Sequence, residues 1–212
     1  MPNKFPLVIA TRNAGKTAEI RHLLKDFPVD IQNLDDFGPL APVVEDGKTF
    51  DENAYKKSSF TARALGLPAL ADDSGLVVMA LGGAPGVYSA RYGGENATDE
   101  QRYLLLLEQM RGCSDRRAAF ECVVSIAVPG GAALTYEARC EGVIAETPAG
   151  RHGFGYDPVF FYPPLNKTFG QLTREEKSRV SHRGKALREL QREFDKAIGW
   201  IRMHMAGGAA RG

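Results

Sequence analysis

Phe5-Pro6-Leu7-Val8-Ile9-Ala10-Thr11-Arg12-Asn13-Ala14-Gly15-Lys16 is the stretch that decides the fold class. The apolar run Phe5–Ala10 predicts a buried strand. Thr11–Ala14 reads as a loop. Gly15–Asp26 follows as a helix, with Ile20, Leu23, Leu24 and Phe27 at helical spacing. A strand that passes through a short loop into a helix is the opening unit of an α/β sheet.

The same alternation continues outward. Val29–Leu34 predicts a second strand, and Phe37–Asp46, with Gly38, Pro39 and Pro42, a loop. Thr49…Glu52, Thr98…Gln101 and Thr173…Glu176 carry the capping-box signature, a hydroxyl followed three residues later by Glu or Gln, and so mark three helix starts. Ala69–Asp72 and Leu76–Ala80 predict two short strands around an acidic turn. Gly82–Gly94 holds five glycines and a proline and reads as a structured loop. Ala118–Val128 and Ala133–Ala145 flank Pro129-Gly130-Gly131, a hairpin signal. Arg183–Met205 places Leu187, Leu190, Phe194, Ile198 and Ile201 on one face of a single amphipathic helix. The expected fold is α/β: an elongated mixed sheet with flanking helices, pinched into two lobes with a cleft between them as a natural ligand site. Residues 1–205 are expected to form one domain and 206–212 a flexible tail.

Composition narrows the function. The 212 residues carry a net charge of +1, with 43% hydrophobic and 25% charged residues. No global field draws the chain to nucleic acid or membrane, so an anionic ligand needs a local site. Three cysteines without a C-x-x-C pair suggest neither a disulfide framework nor a zinc site and point to a reducing cytoplasm. No apolar run is long enough to cross a bilayer, and no leader peptide is expected.

Five stretches carry chemistry. Thr11-Arg12-Asn13-Ala14-Gly15-Lys16 opens a helix, where backbone N–H groups and a lysine favour an anion. Ala10–Thr17 also matches a Walker A loop with alanine in place of its first glycine. The plain alternative is a capped helix with a solvated lysine. Ala71-Asp72-Asp73-Ser74-Gly75-Leu76 puts two carboxylates between apolar strands. If one strand persists through them, they face opposite ways and have different tasks. The alternative is an Asp-rich turn. Glu45 precedes a helix carrying Glu52, Asn53, Lys56 and Lys57. Glu45 and Asp73 together suit Mg²⁺, and Glu52 is read as the capping-box partner of Thr49. Phe154-Gly155-Tyr156-Asp157 offers two flat rings for a base, a glycine for close backbone approach and an acceptor for a base N–H. Its alternative is an aromatic core pair. Lys177, His182 and Arg183 supply cations and donors, unless they form a solvated helix face.

Taken together and in order from about Leu7 to Leu190, these stretches resemble the inosine triphosphate pyrophosphatase family, also called the XTP/dITP diphosphatases. Gly47-x-Thr49-Phe50-x-Glu52-Asn53-Ala54 and Pro85–Tyr92 are further family-like blocks. The resemblance implies Mg²⁺-dependent hydrolysis of non-standard purine triphosphates at the α–β bond, giving the monophosphate and pyrophosphate, commonly in a homodimer. It implies that Thr11–Lys16 cradle the triphosphate and that Lys57 reaches the phosphates. Glu45 and Asp73 would serve the metal, and Asp73 would be the catalytic carboxylate with Ser74 beside the substrate. Phe154–Asp157, Lys177, His182 and Arg183 would enclose the nucleotide and its base. Two departures stand out: Val44-Glu45 replaces a frequent pair of glutamates, and Arg12 fills a slot that is often small or neutral. Two other readings are a P-loop NTPase or kinase cutting the β–γ bond, disfavoured by the missing glycine, and a non-catalytic nucleotide- or RNA-binding module, whose RNA form is disfavoured by a net charge of only +1 and the lack of an aromatic-rich basic strand.

Overall fold

The strand–loop–helix opening forms as its sequence dictates. In the computed structural model, which describes residues 4–208, β1 spans Phe5–Ile9 and α1 spans Ala14–Leu24. Parallel β2 (Val29–Asn33) pairs with β1 in register, Phe5 opposite Val29 and Ile9 opposite Asn33. Then come α2 (Phe50–Leu65), β3 (Ala69–Val78), α3 (Asp99–Gln109), β4 (Arg117–Ala127) and β5 (Ala133–Ile144). Short β6 (Phe160–Tyr162) and β7 (Lys167–Thr168) precede α4 (Arg174–Val180), α5 (His182–Arg192) and α6 (Phe194–Gly208). The strands form one seven-stranded sheet in the order β2-β1-β3-β4-β5-β6-β7. Pairing is parallel at β1/β2 and β1/β3 and antiparallel at β5/β6 and β6/β7, so the sheet is mixed as expected.

The chain divides into two compact units, with divisions inside β3, β4 and β5. The first holds residues up to Asp73, Val123–Glu137 and the chain from Ala186. Here Ala62 of α2 packs on Val8, Ala69, Ala71 and Ala127, all buried. Small side chains on both surfaces let the helix lie close to the strands. The second unit holds Ser74–Cys122 and Ala138–Lys185. Its core gathers Leu76, Leu106, Met110, Phe120, Phe160 and Phe169.

Two expectations are corrected. The acidic turn is not a turn: β3 runs unbroken from Ala69 to Val78 through Asp72 and Asp73. Nor is the C-terminal helix single. It breaks at Glu193, whose N–H is shared between the carbonyls of Glu189 and Leu190 instead of following the α-helical ladder alone. α6 then runs on to Gly208, into the stretch expected as a tail; residues 209–212 lie outside the described part.

Capping chemistry fixes where the helices begin. Thr98 and Thr173 each accept from the N–H three residues on, while Gln101 and Glu176 reach back to complete the box. At α2 only half of that motif forms. Thr49 accepts from Glu52 N at 3.1 Å, but the Glu52 carboxylate accepts from Lys48 N at 2.6 Å, one residue before the expected donor.

Candidate functional site

The first unit concentrates charge where β3 passes α1 and α2. Successive strand side chains point to opposite faces, and the two aspartates meet different lysines. Lys16 Nζ lies 3.1 Å from Asp72 Oδ2. Lys57 Nζ lies 2.8 Å from Asp73 Oδ1 and 2.9 Å from Glu45 Oε2. Asp72 and Asp73 are buried, and so is Lys57. Three carboxylates thus meet two ammoniums in a poorly solvated place. Burial disfavours the Lys57 ammonium, yet Asp73, Glu45 and Asp72 outweigh it and hold its pKa above the ordinary lysine value. Asp73 is also held above the ordinary carboxylate range: burial raises it, and Glu45 adds to that, against the opposing pull of Lys57 and Lys16.

α1 presents its N-terminus with the cap already in place. Asn13 Oδ1 accepts from Lys16 N at 3.0 Å, and Asn13 N donates to Thr11 Oγ1 at 3.2 Å. Ala14 and Gly15 supply the first two helical N–H groups of that turn. Arg12 is exposed and donates to the carbonyl of Leu40 at 2.9 Å, so it braces the loop after β2. Lys16 is not the solvated lysine of the alternative reading, because its side chain keeps only 14% of its exposure.

The donor set suits a hard divalent cation. Glu45 and Asp73 bring carboxylate oxygens to one point, marked by Lys57 Nζ. Among the described residues no group of three or more His, Cys, Asp or Glu is placed to hold a metal ion. A cation here would take two carboxylates and complete its shell with phosphate oxygens and water, the habit of Mg²⁺.

The second unit carries the other expected residues. Lys177 Nζ sits 2.6 Å from Asp157 Oδ2, both buried. The same oxygen accepts from Phe154 N at 2.8 Å. Gly153 is required here: its φ is +79°, and a Cβ would strike Asp157 Oδ2. Lys177 Nζ lies 4.7 Å from the Phe154 ring centroid and Arg183 Cζ 5.7 Å from it, so both cations border one aromatic ring. Arg183 is 2% exposed and donates to Ser74 Oγ at 2.9 Å. His182 stacks on Phe120, centroids 4.7 Å apart and planes 16° from parallel. The solvated-face alternative fails for all three basic residues.

Three of the expected recognition residues have partners within the protein. Tyr156 is 4% exposed, lies in the core and donates to the carbonyl of Ser89 at 2.9 Å; it offers no free face to a base, and burial pushes its phenol pKa up. Asp157 Oδ2 serves Lys177 and the Phe154 backbone, which makes Asp157 a brace for the loop. Gly155 N donates to Asp99 Oδ2 at 2.7 Å, so its amide is already engaged.

Sequence reasoning passed over Asp72 as the partner of Lys16, and Phe120 as the platform of His182. It also passed over Ser89, which accepts from Leu76 N at 2.9 Å and steadies the strand just past Ser74. Asp72 had a visible signal in the paired acids themselves, and Ser89 lies inside the family-like block Pro85–Tyr92.

Lysines matched to buried carboxylates thus stand beside the N-terminus of α1, on a mixed α/β sheet. The family model of the Ham1 family matches residues 7–193, and the chain belongs to that family. The dITP/XTP pyrophosphatase of Syntrophobacter fumaroxidans is 60% identical over 200 residues, 94% of this chain and 86% of that protein. The dITP/XTP pyrophosphatase of Desulfotalea psychrophila is 55% identical, over 94% of this chain and 90% of that one. Among solved structures, a HAM1 protein from Coxiella burnetii superposes with a TM-score of 0.84 at 41% identity, covering 91% of this chain and 99% of that one. The Staphylococcus aureus Ham1 protein gives 0.82 at the same identity and coverage.

Proposed function

We propose that this chain hydrolyses non-standard purine nucleoside triphosphates, those of hypoxanthine and xanthine, to the monophosphate and pyrophosphate. The observation that carries the reading is the Lys16–Asp72 and Glu45–Lys57–Asp73 cluster, in a chain 60% identical to a dITP/XTP pyrophosphatase. Glu45 and Asp73 would hold Mg²⁺, which when bound would neutralise phosphate charge.

The chain's own residues do the rest. The N–H groups of Ala14 and Gly15, with Thr11 and Asn13 shaping the turn, face the triphosphate. Lys16 and Lys57 stabilise the charge that gathers on departing pyrophosphate. Asp73 orients a water and takes its proton as the water oxygen bonds to the α-phosphorus and the bond to the pyrophosphate oxygen breaks. A carboxylate at its reference pKa near 3.9 is a weak base; burial works to raise that of Asp73.

Phe154, Lys177, His182 and Arg183 receive the base. A 6-oxo group accepts hydrogen bonds where adenine has an amino donor, so donors from His182 or Arg183 favour hypoxanthine and xanthine. A buried donor left unpaired by the wrong base costs about 1–3 kcal/mol. Residues 1–205 act as one catalytic domain. A homodimer follows from the family resemblance, and a reducing cytoplasm from three cysteines without a C-x-x-C pair. Among the described residues no helix is long and apolar enough to cross a membrane.

The test is a panel of inosine, xanthosine, adenosine and guanosine triphosphates with products identified. Preference for the first two with release of pyrophosphate supports the reading. Equal use of adenosine triphosphate, or release of orthophosphate, sinks it.

A further inference from the structure

Asn53 is 1% exposed and lies on α2 one turn before Lys57. Both ends of its amide are engaged. Oδ1 accepts from Gly47 N at 2.8 Å, and Nδ2 donates to Asp73 Oδ2 at 3.3 Å. The other Asp73 oxygen accepts from Lys57 at 2.8 Å. One face of α2 therefore addresses both oxygens of the same carboxylate, by residues spaced i, i+4. Gly47 stands two residues beyond Glu45, and a Cβ on it would fall 2.5 Å from Asn53 Oδ1.

We infer that Asn53 is a positioning residue for the proposed hydrolysis: its amide fixes the plane of the Asp73 carboxylate and ties down the segment that carries Glu45. The inference rests on the reading above for the reaction, though not for the geometry. A carboxylate held at one oxygen can swing about its Cβ–Cγ bond; held at both, it cannot. The amide donates to Asp73 and accepts from Gly47 at the same time without carrying a charge. Aspartate would place like charge against Asp73, and an apolar residue would leave Gly47 N unpaired.

Two variants test this from different sides. Asn53→Asp keeps the size and the acceptor for Gly47 but removes the donor to Asp73. Gly47→Ala leaves Asn53 in place but crowds its amide. For each, kcat and KM for inosine triphosphate are measured beside calorimetric binding of a non-hydrolysable triphosphate analogue and thermal unfolding. The expected result is a fall in kcat of about a hundredfold, the cost of roughly 1 Å of misplacement. KM and analogue affinity should stay within about threefold. A folded Asn53→Asp enzyme that keeps wild-type kcat overturns the inference. So does a loss of kcat matched by an equal loss of analogue affinity, which is the pattern of a structural residue. The crystal structure of Gly47→Ala gives a readout free of activity: the Asp73 carboxylate should be rotated from its wild-type plane, and an unmoved carboxylate overturns the inference. A wild type that releases no pyrophosphate would sink the proposed reaction and leave this geometric test standing.

Discussion

Removing the Asp157 carboxylate should cost this protein a large share of its stability. Asp157 Oδ2 lies 2.6 Å from Lys177 Nζ and 2.8 Å from Phe154 N, and the paired side chains retain 3% and 8% exposure. Asp157→Ala therefore strands an ammonium in a poorly solvated place and takes the acceptor from a backbone N–H. Breaking a buried ion pair from one side costs about 3–5 kcal/mol. For a chain of this size each kcal/mol moves Tm by roughly 2–4 °C, so a fall of about 6–20 °C is expected. Asp157→Asn keeps an acceptor for Phe154 N and should fall between that and wild type. Asp157→Leu combined with Lys177→Met removes both charges and should regain most of the loss, since apolar replacement of a buried pair is often neutral or better. Urea unfolding followed by circular dichroism measures all three. An Asp157→Ala protein within about 1 kcal/mol of wild type would refute the view that this pair braces the Phe154 loop, as would a double variant no better than the single.

Lys16→Ala should weaken binding of inosine triphosphate far more than of the monophosphate; equal losses by calorimetry would remove Lys16 from the phosphate site. Asp73→Asn should fold normally yet show no turnover at saturating Mg²⁺, and removal of divalent cations by a chelator should silence the wild type; near-wild-type rates in either case would displace Asp73 or the metal from the reaction. Burial pushes the Cys140 thiol up to about 11 from its ordinary value near 9.0, with Lys185 opposing this and Glu141 adding to it. The neutral thiol is thus favoured in the folded chain. Its contribution to stability should be complete below about pH 9 and lost as pH rises through about 11. Iodoacetamide at pH 8 should modify half-buried Cys113 well before Cys140, and equal rates by mass spectrometry would contradict the burial.

Much of this was legible in the sequence because local signals and tertiary needs agree. The apolar run of β1, the Thr98 and Thr173 boxes and the Pro-Gly-Gly hairpin each specify their element without help from distant residues. Asp72 and Asp73 misled as a turn because acidic residues are poor strand formers. Here the matching lysines of α1 and α2 offset the cost, and the strand continues through them. The break at Glu193 was invisible because Leu190 and Phe194 keep helical spacing across it. Tyr156 misled for another reason: sequence shows that a ring is present, not which way it turns, and Tyr156 found the carbonyl of Ser89. The candidate site residues were chosen by type and order, whereas their pairings, Lys16 with Asp72 and Lys57 between Glu45 and Asp73, depend on which strand face meets which helix.

Hydrolysis of inosine triphosphate in water enriched in oxygen-18, with both products weighed by mass spectrometry, tests the proposed reaction most directly. The expected result is inosine monophosphate carrying one heavy oxygen beside unlabelled pyrophosphate, because water attacks the α-phosphorus. Inosine diphosphate with labelled orthophosphate, or heavy oxygen in the pyrophosphate, would contradict it.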